Sequence, residues 1–172
     1  MVTIRSRKFI LRPFRRGDEA SLRENISNKK IYRNTLVIPY PYTLKDAQEW
    51  IRNNLKEAKN KNLRMVNFVI DIDGEVAGSI GFSKIEGYKA EIGYWLGERY
   101  WGQGIMTEAI RLMTKFGFGK LKLKRIYAPV FSFNKASMQV LKNNNYKFEG
   151  ILRKEHKKDN KFLDAYLFAK VK

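Results

Sequence analysis

Apolar positions recur along the chain with two different periods, and these periods distinguish predicted helices from predicted strands. Helical spacing, with apolar residues three and four positions apart, is found in 44–59 and 104–119. Runs rich in β-branched and aromatic residues predict strands, and they cover 8–14, 65–85, 89–96, 124–133, 146–156 and 161–171. Asp73-Gly74 divides segment 65–85 and is a strong two-residue hairpin signal, which predicts two antiparallel strands there.

Three predicted helices follow residues that cap helices through a side-chain oxygen. Asp18 opens a helix over 18–27, Thr43 has capping-box spacing to Asp46, and Asn134 opens a helix over 134–145. The predicted order is one strand, two helices, three strands, a helix, a strand, a helix and two strands. This order favours an α+β fold in a single domain, 1–172, with a largely antiparallel sheet and at least one helical crossover.

The composition excludes several kinds of functional site. The chain has 172 residues, no cysteine and a single histidine, His156, so disulfides, thiolate metal ligands, a cysteine nucleophile and a multi-histidine metal site are excluded. The lack of cysteine fits a cytoplasmic protein, and no apolar run approaches the ~20 residues of a membrane span. The net charge of +18 predicts a field that attracts polyanions such as a phosphate-bearing cofactor or RNA. Scattered lysines that only keep the protein soluble are the alternative.

The segment ERYWGQGIMTEAIRLM, 98–113, places two glycines between a predicted strand and a predicted helix. Unpaired N–H groups at a helix start attract anions, and Gly102 and Gly104 let a ligand approach closely. A phosphate site is therefore predicted, with an unliganded turn as the alternative. A dinucleotide fingerprint needs a small residue where Thr107 stands, and a P-loop needs Ser or Thr after Gly-Lys, which the GKL at 119–121 lacks.

A third pattern fits this turn and the segments around it. Arg99-x-x-Gly102-x-Gly104 after a strand, then a helix, a strand and an N-x-x-S helix start, resembles the GNAT N-acetyltransferase superfamily. In order and spacing, LRPF, IPYPYT with DAQEWI, AEIGYWL, GQGIMTEAI and NKASMQVLKNNNYKFEGILR resemble the RimJ/RimL branch. This resemblance covers nearly the whole chain. It implies a mixed, mostly antiparallel central sheet, splayed between two strands and flanked by helices, in an enzyme that transfers acetyl groups from acetyl-CoA to a primary amine.

The resemblance also implies where acetyl-CoA binds, namely between the strands at 90–96 and 124–131. The pyrophosphate would sit on backbone amides of the Gly-rich turn, and the backbone N–H near Leu96 would polarise the thioester carbonyl. Gly93 is consistent with a bulge that splays the sheet or with a crossing side chain. The implied coenzyme-binding residues are Tyr94, Trp95, Leu96, Arg99, Gly102, Gln103, Gly104, Ile105, Met106, Thr107, Asn134 and Lys142. A plain helix cap at Asn134 and a solvated lysine at Lys142 are the alternatives.

Catalytic residues follow from the same resemblance. Many GNAT enzymes have a tyrosine seven residues after the asparagine, where this chain has Leu141. RimL-like enzymes imply instead that Ser137 hydrogen-bonds the departing sulfur, unless it only caps the helix. The general base that deprotonates the amine falls on His156, unless this histidine near a turn is merely exposed, with Glu155 beside it. Glu91 is a further candidate, nearly level with His156, unless it forms a cross-strand salt bridge. Since a strand alternates faces, only one of Glu155 and His156 is expected to face the cleft.

A direct attack by the amine in a ternary complex is expected, because the chain has no cysteine for an acyl-enzyme. A protein N-terminus, of the ribosomal-protein type, is the favoured acceptor, and a polyamine is disfavoured because a +18 protein repels a polycation. Loops 32–43 and 156–161 are expected to shape the acceptor pocket. The alternative function is a non-catalytic, basic RNA- or ribosome-binding module on the same scaffold, with aromatic residues of 30–42 stacking on bases. The oligomeric state is expected to be a monomer or a homodimer, without membrane association.

Overall fold

The computed structural model describes residues 2–60 and 62–172. Within these ranges the strands are β1 (Ile4–Arg5), β2 (Ile10–Arg12), β3 (Val66–Ile72), β4 (Glu75–Glu86), β5 (Lys89–Leu96), β6 (Arg125–Phe131), β7 (Lys147–Lys158) and β8 (Lys161–Val171). The α-helices are α1 (Glu19–Ile26), α2 (Lys29–Asn34), α3 (Leu44–Glu57), α4 (Ile105–Gly119) and α5 (Lys135–Asn143). None of these helices is long and apolar enough to cross a bilayer.

The strands form one sheet in the order β1-β2-β3-β4-β5-β6-β8-β7. All neighbours are antiparallel except β5 and β6, which are parallel and pair only between Lys89–Glu91 and Arg125–Tyr127. Beyond these residues the two strands separate, while β5 stays paired with β4 as far as Leu96 and β6 stays paired with β8 as far as Phe131. The predicted α+β class, the mostly antiparallel sheet and its splay between two strands are thus confirmed.

Helices cover both faces of the sheet, because side chains of its central strands alternate between two buried clusters. Phe68 and Ile70 of β3 belong to the cluster under α4, and Val69 between them belongs to the cluster under α1 and α3. The approach of α4 is close at Gly117, where a Cβ would lie 2.7 Å from the ring of Phe82. Apolar side chains are therefore buried on both faces of the sheet, and the splay between β5 and β6 opens at the end of this packed layer.

Several local predictions are confirmed. Asp73 and Gly74 both have positive φ, 54° and 87°, as the predicted two-residue hairpin turn requires. Thr43 and Asp46 form the expected capping box at the start of α3. The Asn134 side chain accepts a hydrogen bond from the backbone N–H of Ser137 and caps α5.

Asp18 precedes α1 as predicted, but its side chain does not cap the helix. Its two carboxylate oxygens instead accept hydrogen bonds, each 2.8 Å long, from the Arg12 guanidinium, and the backbone N–H of Arg15 donates a third. A bidentate, charge-assisted pair is stronger than a single cap to a neutral N–H. The Asp18 carboxylate therefore ties α1 to β2 through buried Arg12, which also bonds Asp71 at the end of β3.

The N-terminal third contains two elements that hydrophobic spacing does not reveal, so the predicted element order is wrong there. Strand β1 has only two residues, and α2 has six, too few for a period to be visible. Asn28 caps α2 by accepting from the backbone N–H of Lys30 at 2.8 Å. The strand predicted over 8–14 pairs only over Ile10–Arg12, since Pro13 has no N–H to donate.

Gly93 has neither of its two predicted roles. It pairs regularly with Gly81 of β4, and the irregularity between these strands lies at Ser83 and Glu86 instead. A Cβ on Gly93 would meet no described atom within 4 Å, so no side chain crosses there. The crossing occurs at Gly81, where a Cβ would overlap the side chain of Asn67.

Candidate active site

Two helices begin at the open end of the splay. The chain leaves β5, forms a short 3-10 turn over Glu98–Tyr100 and enters α4, and it leaves β6 at Phe131 and enters α5 at Lys135. The positive ends of both helix dipoles therefore lie beside the gap between β5 and β6. This arrangement favours an anionic ligand at the mouth of the splay.

The Gly-rich turn presents unpaired amides. Gly102 and Gly104 have φ of 74° and 73°, a left-handed conformation that side chains disfavour. Gly104 is the N-cap of α4 and has no side chain to cap the helix, so the first amides of α4, from Ile105 to Thr107, have no partner within the helix. The side chains of Ile105 and Met106 are buried. Only the backbone of these residues is therefore offered to a ligand.

Side chains around the turn hold it in place. The Gln103 amide donates to the carbonyl of Arg99 at 3.0 Å, and the Trp101 indole donates to the carbonyl of Leu96 at 2.7 Å. The Arg99 guanidinium pairs with Glu75. Arg99 and Gln103 thus brace the turn with their side chains, and the Lys8 ammonium adds a hydrogen bond of 2.7 Å to the Gln103 carbonyl.

Backbone directions in β5 separate the predicted coenzyme contacts into two groups. Gly97 donates to the carbonyl of Ala77, so the alternating antiparallel pattern directs the backbone of Trp95 toward β4 and that of Tyr94 and Leu96 toward β6. The backbone N–H and C=O groups of Tyr94 and Leu96 lie beyond Glu91, where β6 is no longer paired with β5. Trp95 does not share this position, and its side chain packs against the cluster under α1 and α3.

Tyr94 and Ser137 meet across the splay. The Tyr94 hydroxyl lies 2.8 Å from Ser137 Oγ and 3.4 Å from the Ser137 carbonyl oxygen. Burial raises the pKa of the Tyr94 hydroxyl, which therefore stays protonated at neutral pH. Asn134 uses Oδ1 to cap α5 at 3.1 Å, and this leaves its amide nitrogen as the atom for a ligand. Lys142 is exposed on α5.

Glu91 lies near the paired end of the splay, in register with Tyr127 of β6. Its carboxylate binds the Lys84 ammonium at 2.8 Å and so forms the alternative cross-strand salt bridge. The hydrogen bond to Glu91 is the main cause that raises the pKa of Lys84, and Glu155 contributes to the same rise.

His156 belongs to β7, and its side chain lies beside the last residue of β6, far from the end of β6 that pairs with Glu91. Its ring packs edge-on against Phe131, with centroids 5.5 Å apart, and Phe131 is about 13 Å beyond Tyr127 along the strand. The register of β7 with β8 shifts between Leu152 and His156, and Lys154 has a φ of 53°. This bulge removes the strict alternation on which the choice between Glu155 and His156 depended.

The two loop regions expected to shape the acceptor pocket touch each other. The Tyr32 hydroxyl donates to Asp159, and the Lys158 ammonium lies 3.7 Å from the centre of the Tyr32 ring and bonds the Tyr32 and Thr35 carbonyls. Burial lowers the pKa of Lys158. The tip of the β7–β8 hairpin thus bridges to the end of α2, a contact between residues about 125 positions apart that no local sequence pattern signals.

Among residues 2–60 and 62–172, no group of three or more His, Cys, Asp or Glu side chains is arranged to hold a metal ion. The structure brings Tyr94, Leu96, the Gly-rich turn, Asn134 and Ser137 to the open end of the splay. It places Glu91 at the closed end.

Comparisons with known proteins agree with this geometry. Residues 8–147 match the family described as "Acetyltransferase (GNAT) domain". An N-acetyltransferase of uncharacterised substrate from Bacillus licheniformis, p20, is 30% identical over 100% of this chain and 97% of its own length. The ribosomal-protein-serine acetyltransferase of Escherichia coli K12 is 29% identical over 73% of this chain and 70% of its own.

Solved structures show the same fold. RimL, a ribosomal L7/L12 α-N-protein acetyltransferase solved with coenzyme A, aligns with a TM-score of 0.89 at 23% identity, over 99% of this chain and 98% of its own. The resemblance to the GNAT superfamily that the sequence motifs indicated is confirmed by the family match, and the ribosomal-protein acetyltransferases among the matches are consistent with the RimJ/RimL branch.

Proposed function

The chain belongs to the GNAT acetyltransferase family and is an acetyl-CoA-dependent N-acetyltransferase, and we propose that its acceptor is the α-amine at the N-terminus of a protein. The observation that carries the coenzyme site is the splay between β5 and β6, with the uncapped amides of α4 at its mouth. Two similar proteins that acetylate ribosomal proteins support this choice of acceptor.

We propose that backbone groups of the protein make the main contacts with the coenzyme. Amides from Gly102 to Thr107 hold the pyrophosphate at the positive end of the α4 dipole. The pantetheine arm pairs with the groups of Tyr94 and Leu96 that face the gap left by β6. The Leu96 N–H then lies beside the thioester carbonyl and stabilises the negative charge that develops on its oxygen.

The acetyl transfer follows as a direct attack. The α-amine must lose a proton first, since its ordinary pKa is ~7.7–8.0, and we assign this step to His156, whose ring packs against Phe131, the last residue of β6. The amine nitrogen then bonds the thioester carbon, the carbon–sulfur bond breaks, and the Ser137 hydroxyl hydrogen-bonds the departing sulfur. Glu91 is the less favoured base because Lys84 already holds its carboxylate.

The acceptor is proposed to enter between α2 and the β7–β8 hairpin. The contact of Lys158 with Tyr32 holds these two elements together, so both are proposed to contact the acceptor. The net charge of +18 supports an acceptor other than a polyamine. Association with RNA or the ribosome and a cytoplasmic location are further proposals, supported by that charge and by the lack of cysteine.

A thiol-release assay tests this function. The panel holds peptides that begin with Ser, Ala, Met or Thr, together with spermidine and free lysine, and N-terminally blocked copies of each peptide are the matched controls. We expect release of coenzyme A with at least one free peptide, and none with its blocked copy. Turnover on spermidine alone would contradict the proposed acceptor. Failure of acetyl-CoA to bind in isothermal titration would contradict the coenzyme site.

A further inference from the structure

Position 141, where many relatives of this fold carry a tyrosine, holds Leu141, whose side chain is fully buried in the core under α4. A phenol nevertheless reaches the start of α5 from the other side of the splay. The Tyr94 hydroxyl lies 2.8 Å from Ser137 Oγ. We propose that Tyr94 is a positioning residue for the departure of the thiol, acting through Ser137. This inference rests on the proposed role of Ser137.

The direction of the hydrogen bonds supports this role. A serine hydroxyl has one hydrogen to donate and two lone pairs to accept. Both partners of the Tyr94 hydroxyl, Oγ and the carbonyl oxygen of Ser137, can accept from it. When Tyr94 donates to Oγ, the single hydrogen of Ser137 is left for another acceptor, and that acceptor is the sulfur in the proposed site.

Two further features support this arrangement. Burial raises the pKa of the Tyr94 hydroxyl, so it remains a donor at the pH at which the amine is deprotonated. The backbone N–H of Ser137 is bonded to Asn134 Oδ1 at 3.1 Å, which anchors the residue at the first turn of α5. The Ser137 hydroxyl group is thus positioned both by Tyr94 of β5 and by the capped first turn of α5.

The proton balance of the transfer needs no extra reagent. The protonated amine loses one proton to the general base before the attack, and its nitrogen loses a second proton to water as the carbon–nitrogen bond forms. The sulfur leaves with the electrons of the carbon–sulfur bond, accepts a hydrogen bond from Ser137, and takes one proton from water. Tyr94 keeps its own proton throughout, because its role is to orient Ser137.

A double-mutant cycle tests this inference on the full chain. Ser137→Ala is expected to lower kcat by about 100-fold and Tyr94→Phe by about tenfold, with little change in KM for acetyl-CoA. Because Tyr94 acts through Ser137, the double variant is expected to be no slower than Ser137→Ala alone. A tyrosine that only packs would add its own loss to that of Ser137→Ala.

Tyr146→Phe is the matched control, because the Tyr146 hydroxyl also lies 2.8 Å from a buried hydroxyl, that of Thr114. It removes an equivalent hydrogen bond from the core under α4 and leaves Ser137 with its own partners, so kcat is expected to stay within twofold of wild type. Thermal unfolding of both Phe variants separates folding from catalysis. An unchanged kcat in Tyr94→Phe, or additive losses in the cycle, would overturn the inference while wild-type turnover upholds the proposed function. Absence of wild-type turnover would overturn both.

Discussion

The Lys84 ammonium lies 2.8 Å from the Glu91 carboxylate, so one candidate for the general base is held in an ion pair. Lys84 is next to Ser83, the residue of β4 that pairs with Glu91, and it adopts a left-handed conformation with a φ of 48°. A base must be free to take a proton from the acceptor. The ion pair therefore favours a structural role for Glu91, in agreement with the proposed assignment of the base to His156.

Replacing His156 by Asn is expected to lower kcat by about 100-fold or more, because the group that takes the amine proton is lost. Glu91→Gln is the matched variant, and it is expected to keep kcat within about threefold. Steady-state kinetics from about pH 6 to 9 measures both. A large loss of kcat in Glu91→Gln, together with a nearly unchanged kcat in His156→Asn, would contradict this assignment and identify Glu91 as the base.

Gly104→Ala is expected to weaken coenzyme A binding by at least tenfold, because a side chain at a φ of 73° strains the turn and crowds the amides of α4. Gly87→Ala is the control. Gly87 also has a left-handed φ, 57°, with no described atom within 4 Å of an added Cβ, but it lies in the turn between β4 and β5. Isothermal titration is expected to separate the two variants. Equal affinities would show that the turn does not hold the pyrophosphate.

Asp18→Asn is expected to lower the free energy of unfolding by about 3 to 5 kcal/mol, since it leaves a buried arginine without its bidentate partner. The side chains of Asp18 and Arg12 are 2% and 11% exposed. Glu108→Gln breaks the exposed pair with Arg111 and is expected to cost less than about 1 kcal/mol. Urea unfolding measures both. Similar costs for the two variants would contradict the structural role of the Arg12 cluster.

Stability is expected to fall at alkaline pH. Burial raises the pKa of Tyr42 and Tyr146 to about 12, from an ordinary value of 10.0. The unfolded chain releases these protons first, so their contribution to stability is complete below the ordinary value and is lost as the pH rises toward 12. Tyr146→Phe is expected to lose less stability than wild type between about pH 9 and 11. An equal loss would contradict the burial of this hydroxyl.

Hydrophobic spacing predicted the elements that carry the fold. The helix after Gly104, the hairpin at Asp73-Gly74 and the C-terminal pair of strands lie where the pattern places them, because each is long or has a specific turn. Strand β1 and helix α2 were not predicted, because their few residues are too short for a period. The role of Asp18 depends on Arg12 and Asp71, and the second of these partners is distant in sequence.

The site was predictable in part for the same reason. Backbone contacts of the Gly-rich turn follow from local sequence, since the glycines and the helix start are adjacent. The contact between Tyr94 and Ser137 joins residues 43 positions apart, and it depends on the angle at which β5 and β6 separate. The bulge before His156 likewise depends on how β7 pairs with β8. Because of this bulge, strict alternation of side chains no longer decides whether Glu155 or His156 faces the cleft.

Mass spectrometry of an acetylated peptide tests the central claim most directly. A peptide with a free α-amine and one internal lysine is incubated with the protein and acetyl-CoA, and fragmentation locates the added acetyl group. We predict that the acetyl group is on the α-nitrogen of the first residue, and that the His156→Asn variant adds far less of it. Acetylation of the lysine side chain alone, or of neither amine across the whole peptide panel, would contradict the account.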